Sequence, residues 1–238
     1  MILNRKTVLI VLSIIYSSLA WSNEMLIKEN HKVYFKSNNS KIFLFEDQNY
    51  CFDKDAFSIE HLTNDERKYL VVNYTEDCNP SGEHKIFEIA DKKAVSFYLA
   101  SLYDPEFFPN EGKIVERFKD GAIGYTKIYT LKNNRYNLTE EVKTLDDNIN
   151  LSTTFNNGVK KFQLKDNSNK KIKSFNISVD RLYLYDDNFK KKKSYFVKGD
   201  ILSLYEIVEI KNNLYIKVGY KGNDQIGYVL LKNLILDI

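Results

Sequence analysis

From Lys32 onward, apolar residues come in short or alternating runs, each closed by a polar turn. A period of two over four to eight residues is the signature of half-buried strands. The window Asp91–Tyr103 also accommodates a helical period, and it is read as a strand following a turn. Composition points the same way: 14% of the 238 residues are aromatic, with 17 Tyr and 15 Phe against only 3 Pro. Tyr, Phe, Ile and Val fit a pleated surface better than a helix. The expected fold class is therefore all-β, with enough apolar surface to bury a core.

The first twenty residues are set apart. Arg5 and Lys6 precede the apolar run Thr7–Tyr16, and Ser17-Ser18-Leu19-Ala20 follows. A basic start, about ten apolar residues and small side chains at Ser18 and Ala20 predict a cleaved secretory signal with the cut before Trp21. The run is shorter than the ~20 residues a spanning helix needs. The protein is thus expected in the periplasm or outside the cell, with no membrane span after cleavage. Losing Arg5 and Lys6 leaves 33 basic against 32 acidic side chains, a net charge of +1. That balance offers no broad field for nucleic acid. In an oxidising compartment the even pair Cys51 and Cys78 is expected to form a disulfide.

Strands are expected at Lys32–Lys36, Lys41–Phe45, Phe57–Leu62, Lys68–Tyr74, His84–Ile89 and Val95–Leu99. Tyr125–Leu131 and Tyr136–Val142 flank Lys132-Asn-Asn-Arg135, a hairpin turn because Asn tolerates positive φ. Asp104–Gly112, with Pro105 and Pro109, reads as a loop. Between Leu145 and Lys173 turn-forming residues dominate, which places a joint near residue 172, although Thr153–Leu164 can still form a hairpin before it. The expected organisation is a signal over 1–20, a β-rich domain over 21–172 and a small barrel over 173–238. In the tail, Ile177–Val179, Arg181–Tyr185, Tyr195–Val197, Ile201–Ile210, Leu214–Tyr220 and Gln225–Leu231 read as strands. Turns are expected at Lys198-Gly-Asp200, Asn212-Asn213 and Gly222-Asn-Asp224.

The tail string Asp180-Arg-Leu-Tyr-Leu-Tyr185, then Tyr195-Phe-Val-Lys-Gly-Asp200, Val218-Gly-Tyr220 and Gly227-Tyr-Val229, resembles a bacterial SH3-like domain. The resemblance implies a small barrel with an aromatic ligand groove, for which Tyr183, Tyr185, Tyr195 and Tyr228 are the candidates. Tyr228 stands where the family usually has Trp, which weakens the groove more than the fold, since aromatic walls supply most of its contact. The stretch Phe57–Val72 followed by Cys78-Asn-Pro-Ser-Gly82, with Phe118-Lys-Asp-Gly121 to Tyr129, resembles secreted β proteins related to periplasmic lysozyme inhibitors.

Motifs for chemistry are few. Cys51 is followed by Phe52-Asp53 and Cys78 by Asn-Pro, neither of which is the setting of a thiolate nucleophile. His31, His61 and His84 stand apart, without the paired spacing of a zinc site. Glu140-Glu141 reads as a solvated strand end rather than an acid–base pair. No catalytic residues, metal or cofactor are expected. Lys190–Lys193, after Asp186-Asp187, reads as a solvated loop tip. In Arg181–Tyr185, alternation sends Leu182 and Leu184 to one face and Tyr183 and Tyr185 to the other. Two readings of those tyrosines stand: an exposed binding surface, or rings that complete the core. Export without enzyme chemistry leads to the expectation of a non-enzymatic immunity protein or inhibitor that neutralises a toxin or cell-wall hydrolase. The rival is a peptidoglycan-binding module or envelope adaptor.

Overall fold

The computed structural model describes residues 24–38, 40–63, 65, 67–76, 78–90, 93–220 and 226–234. The signal, its cleavage point before Trp21 and the turn at 222–224 lie outside them. The described residues are all-β, in antiparallel sheets, and none of their helices is long and apolar enough to cross a membrane. By contact the chain divides into two compact units, Met1–Tyr103 and Asp104–Ile238.

In the first unit, β1 (Met25–Glu29), β2 (Lys32–Ser37) and β3 (Ser40–Glu46) form one sheet. The other holds β4 (Phe57–Glu60), β5 (Tyr69–Glu76), β6 (Asn79–Ala90) and β7 (Lys93–Tyr103), in that order. Alternation in β2 and β3 sends Val33, Phe35, Ile42 and Leu44 inward, where they join Leu70, Val72 and Phe87 in one apolar cluster. Burying each such side chain contributes roughly 1.5–3 kcal/mol. Cys51 and Cys78 are bonded, with Cα atoms 4.8 Å apart, and Cys51 donates its N–H to the Thr75 carbonyl. The bridge ties the segment after β3 to the β5–β6 connection. The window Asp91–Tyr103 is strand over its described residues 93–103.

In the second unit, β8 (Glu106–Phe108), β9 (Lys113–Asp120), β10 (Ile123–Lys132), β11 (Arg135–Asp146), β12 (Ile149–Asn156) and β13 (Val159–Lys165) pair consecutively. The loop expected at Asp104–Gly112 instead carries β8, hydrogen-bonded to the start of β9, and a 3-10 turn at Pro109–Glu111. Asn133 and Asn134 both take left-handed φ and close the β10–β11 hairpin, as their spacing predicts.

A second six-stranded sheet runs β14 (Ser174–Asn176), β17 (Ile201–Ile210), β18 (Asn213–Tyr220), β19 (Ile226–Leu230), β15 (Arg181–Tyr185), β16 (Lys191–Val197). Ile177 is not in a strand. Its N–H is bonded to the Asp200 carbonyl and its own carbonyl receives the Gly199 N–H, so the ladder lies one step earlier, at β14. The sequence placed a joint near residue 172, but residues on both sides of 172 share one core. Leu151 and Leu164 of β12 and β13 lie in the same buried cluster as Leu182, Leu184, Phe196, Ile216 and Val229. Lys160 of β13 also pairs with Glu209 of β17 at 3.0 Å. The polar stretch around 166–171 is a local turn, closed by the Asp166 carboxylate and by the Asp166 N–H on the Lys170 carbonyl.

Candidate functional site

The outward face of the tail sheet gathers aromatic rings across four strands. In β15 the burial alternates as expected, with Leu182 and Leu184 inside and Tyr183 and Tyr185 half-exposed on the other side. Directly opposed residues of neighbouring strands share a face. Tyr183 is thereby paired with Tyr195, Arg181 with Val197, Tyr185 with Tyr228, and Tyr228 with Lys217 of β18. Tyr183 and Tyr195 meet edge to face with ring centroids 5.7 Å apart. Tyr185 meets Tyr215 at 5.3 Å, and Phe189 lies 4.9 Å from both Tyr215 and Tyr228. The four sequence candidates therefore fall on one sheet face, in two separate ring groups, with Tyr228 the most buried of them.

Cations lie on these rings. Lys191 Nζ stands 3.6 Å from the Tyr183 ring centroid, the Arg181 guanidinium 5.0 Å from that of Tyr195, and Lys217 Nζ 5.9 Å from that of Tyr228. Contacts of this kind hold long side chains flat against aromatic faces. Burial, and then the neighbouring Tyr215, push the Tyr185 phenol up. At the margins Tyr195, Val197, Tyr205 and Ile226 are each more than two-fifths exposed. Tyr205 sits at an irregularity in β17 and lays its ring across Gly219, where a Cβ would stand 2.6 Å from its hydroxyl oxygen.

Phe189, Tyr215, Lys217 and Tyr205 join the four tyrosines on or beside this face. Tyr215 and Lys217 were accessible through alternation in Leu214–Tyr220, opposite the buried Ile216 and Val218. Phe189 sits in a polar turn, and no local pattern marks it. That turn also corrects the reading of the lysines. The Asp186 carboxylate accepts the N–H groups of Asn188 and Lys190, closing the turn within five residues. Lys191–Lys193 consequently belong to β16, the edge of the sheet, rather than to a loop tip. Lysines on an edge strand oppose pairing with a stray strand.

The other candidate groups are placed elsewhere. His31 and His61 are exposed, and His84 is half-buried with Nδ1 2.9 Å from the Gly82 carbonyl. Among the described residues no three His, Cys, Asp or Glu side chains converge as metal ligands. Glu140 and Glu141 are not a strand end but lie mid-β11, both half-buried. The Glu140 carboxylate accepts hydrogen bonds from Ser152 at 2.6 Å and Lys165 at 2.8 Å. Burial works against its ionisation, yet these bonds with the Lys165 and Lys113 charges outweigh it and hold the carboxyl below its ordinary range. Glu116 is buried in β9 and accepts the Tyr129 hydroxyl at 2.8 Å.

No family model matches the chain, and no curated protein matches it. Among solved structures it is similar to a hypothetical protein from Leishmania major, at 10% identity, over 74% of this chain and 85% of that one, with a TM-score of 0.26. A likeness at that score carries no argument about fold or function.

Proposed function

We propose that this is an exported, non-enzymatic binding protein, a periplasmic immunity protein or inhibitor that neutralises a cell-wall-degrading enzyme or toxin. The observation that carries the reading is the aromatic face of the tail sheet. Tyr183 with Tyr195, and Tyr185 with Tyr215, Phe189 and the largely buried Tyr228, form two ring groups on one sheet face, edged by Arg181, Lys191 and Lys217. Tyr and Arg are the residues over-represented where proteins bind proteins, because rigid rings bury much area at little entropic cost. Cations already laid along the rings favour an acidic partner surface.

The same face supports a second reading. Within the SH3-like resemblance, it is where a barrel would hold a peptidoglycan peptide. The two separate cleanly. Tagged protein recovered from its own cell envelope should bring down a stoichiometric hydrolase or toxin under the first reading, and should inhibit it. Under the second it should sediment with purified sacculi in the absence of any protein partner, and lose that binding in Tyr183→Ala/Tyr185→Ala.

A further inference from the structure

The first unit contains a cavity of about 580 Å³ that the aromatic face does not involve. Ile59 of β4 and Ile89 of β6 give it an apolar wall that solvent reaches, over a floor of Phe35 of β2, Ile42 of β3 and Leu70 of β5 that the protein almost fully shields. Ligand sites of roughly 300–1,000 Å³ typically combine such a floor with a few convergent polar groups at the rim. Here the rim carries Glu24, Arg67 and Lys68.

The rim groups differ in how far they are committed. Arg67 donates from Nε at 2.7 Å to Asp65, pairs through Nη2 with the same carboxylate oxygen at 2.7 Å, and reaches Glu88 through Nη1 at 3.3 Å. A guanidinium has five N–H groups, so the fork is pinned with N–H groups left over. Glu24 accepts the Ser37 hydroxyl at 3.3 Å. Lys68 is exposed and has no ion-pair partner among the described residues, while its backbone is fixed by the Ile89 N–H on its carbonyl at 3.2 Å. Lys68 is therefore the one rim cation with no carboxylate on it among the described residues, and the Arg67 fork keeps two N–H groups free beside it. A carboxylate, sulfate or phosphate head would be drawn to Lys68 and the open edge of Arg67. An apolar tail would displace water from the Ile59 and Ile89 wall, where it has few partners.

From this arrangement we infer that the cavity binds a small amphiphile with an apolar body and one anionic head group. The test is titration calorimetry of the full chain, as purified from the cell, with sodium decanoate below its aggregation concentration, against decyltrimethylammonium. Saturable one-to-one binding of decanoate, at least tenfold weaker binding of the cationic probe, and at least tenfold loss of decanoate affinity in Lys68→Glu are expected. Ile42→Trp, which fills the floor, should abolish binding. If that variant does not fold, the exposed Lys68→Glu change still decides. Absence of saturable decanoate binding, equal binding of the cationic probe, or unchanged affinity in Lys68→Glu would each overturn the inference.

Discussion

Phe189 holds the place in the turn Asp186–Lys190 that Asn169 holds in the turn Asp166–Lys170. The two turns are built alike: each opening Asp carboxylate accepts the N–H groups two and four residues on, and each fourth residue is left-handed, with φ of 62° at Asn169 and 57° at Phe189. Asn tolerates that conformation, whereas a bulky residue there is a genuine outlier costing about 1–2 kcal/mol. What offsets the cost is the ring packing on Tyr215 and Tyr228, at about 0.5–1.5 kcal/mol for each pair. Phe189→Asn should leave the melting temperature within about 3 °C of wild type. It should nonetheless reduce partner capture at least tenfold. A large fall in stability would mean the ring serves the fold rather than the face.

The two glycines of the closing strands should behave oppositely. A Cβ at Gly219 meets only the far end of the exposed Tyr205 ring, which can swing away. At Gly227 a Cβ would stand 2.7 Å from buried Leu184 and 3.3 Å from the Tyr185 carbonyl. Gly227→Ala should cost about 1–3 kcal/mol in urea unfolding, as overpacking does. Gly219→Ala should stay within about 0.5 kcal/mol while shifting Tyr205, detectable in the ring resonances.

The disulfide closes a span of 27 residues. In the chain-entropy description this stabilises the fold by about 3.5 kcal/mol. The Cys51→Ala/Cys78→Ala chain should lose stability of that order in urea, and adding reductant to it should change nothing further.

Tyr50 is almost wholly buried, and its hydroxyl has no hydrogen-bond partner among the described residues. Burial, and then the Asp53 charge, push its phenol up to about 12. Its ring packs against Phe45 and Tyr74, so Tyr50→Phe keeps the packing and removes the orphaned group. The change should stabilise the protein by about 1 kcal/mol, where an ordinary buried Tyr→Phe would destabilise it.

Acid sensitivity should trace in part to Glu140. Its folded pKa lies below the unfolded one, so the stability it adds is present above the ordinary carboxylate range, near pH 4.3, and disappears as pH falls through the lowered folded value. Glu140→Gln should be about 2 kcal/mol less stable at neutral pH. That gap should close on acidification as the wild-type group takes up its proton. A constant gap between pH about 7 and about 2.5 would contradict the assignment.

Much of the fold was legible because local alternation and turn chemistry carry it. Leu182 and Leu184 face inward against Tyr183 and Tyr185, and Asn133-Asn134 closes its hairpin, without any help from distant contacts. What was not legible depends on residues far apart in the chain. Leu151 and Leu164 share a core with the tail across a polar turn that looks like a linker. Ile177 reads as strand, yet its backbone is captured by the 199–200 turn. Lys191–Lys193 became strand because Asp186 closes its turn early. Of the candidate face, the four tyrosines were visible. Phe189 was not, since its role comes from a backbone conformation and two rings that arrive from β18 and β19. The cavity of the first unit draws on β2, β3, β5 and the segment before β5, a convergence no local window contains.

The most direct measurement is co-purification of tagged protein from its own envelope, in wild-type form and as Tyr183→Ala/Tyr195→Ala, with bound proteins identified by mass spectrometry. The account predicts a stoichiometric hydrolase or toxin with the wild type, and its loss with the double variant although that variant remains folded. Equal recovery of the partner by both, or no protein partner with either, would contradict it.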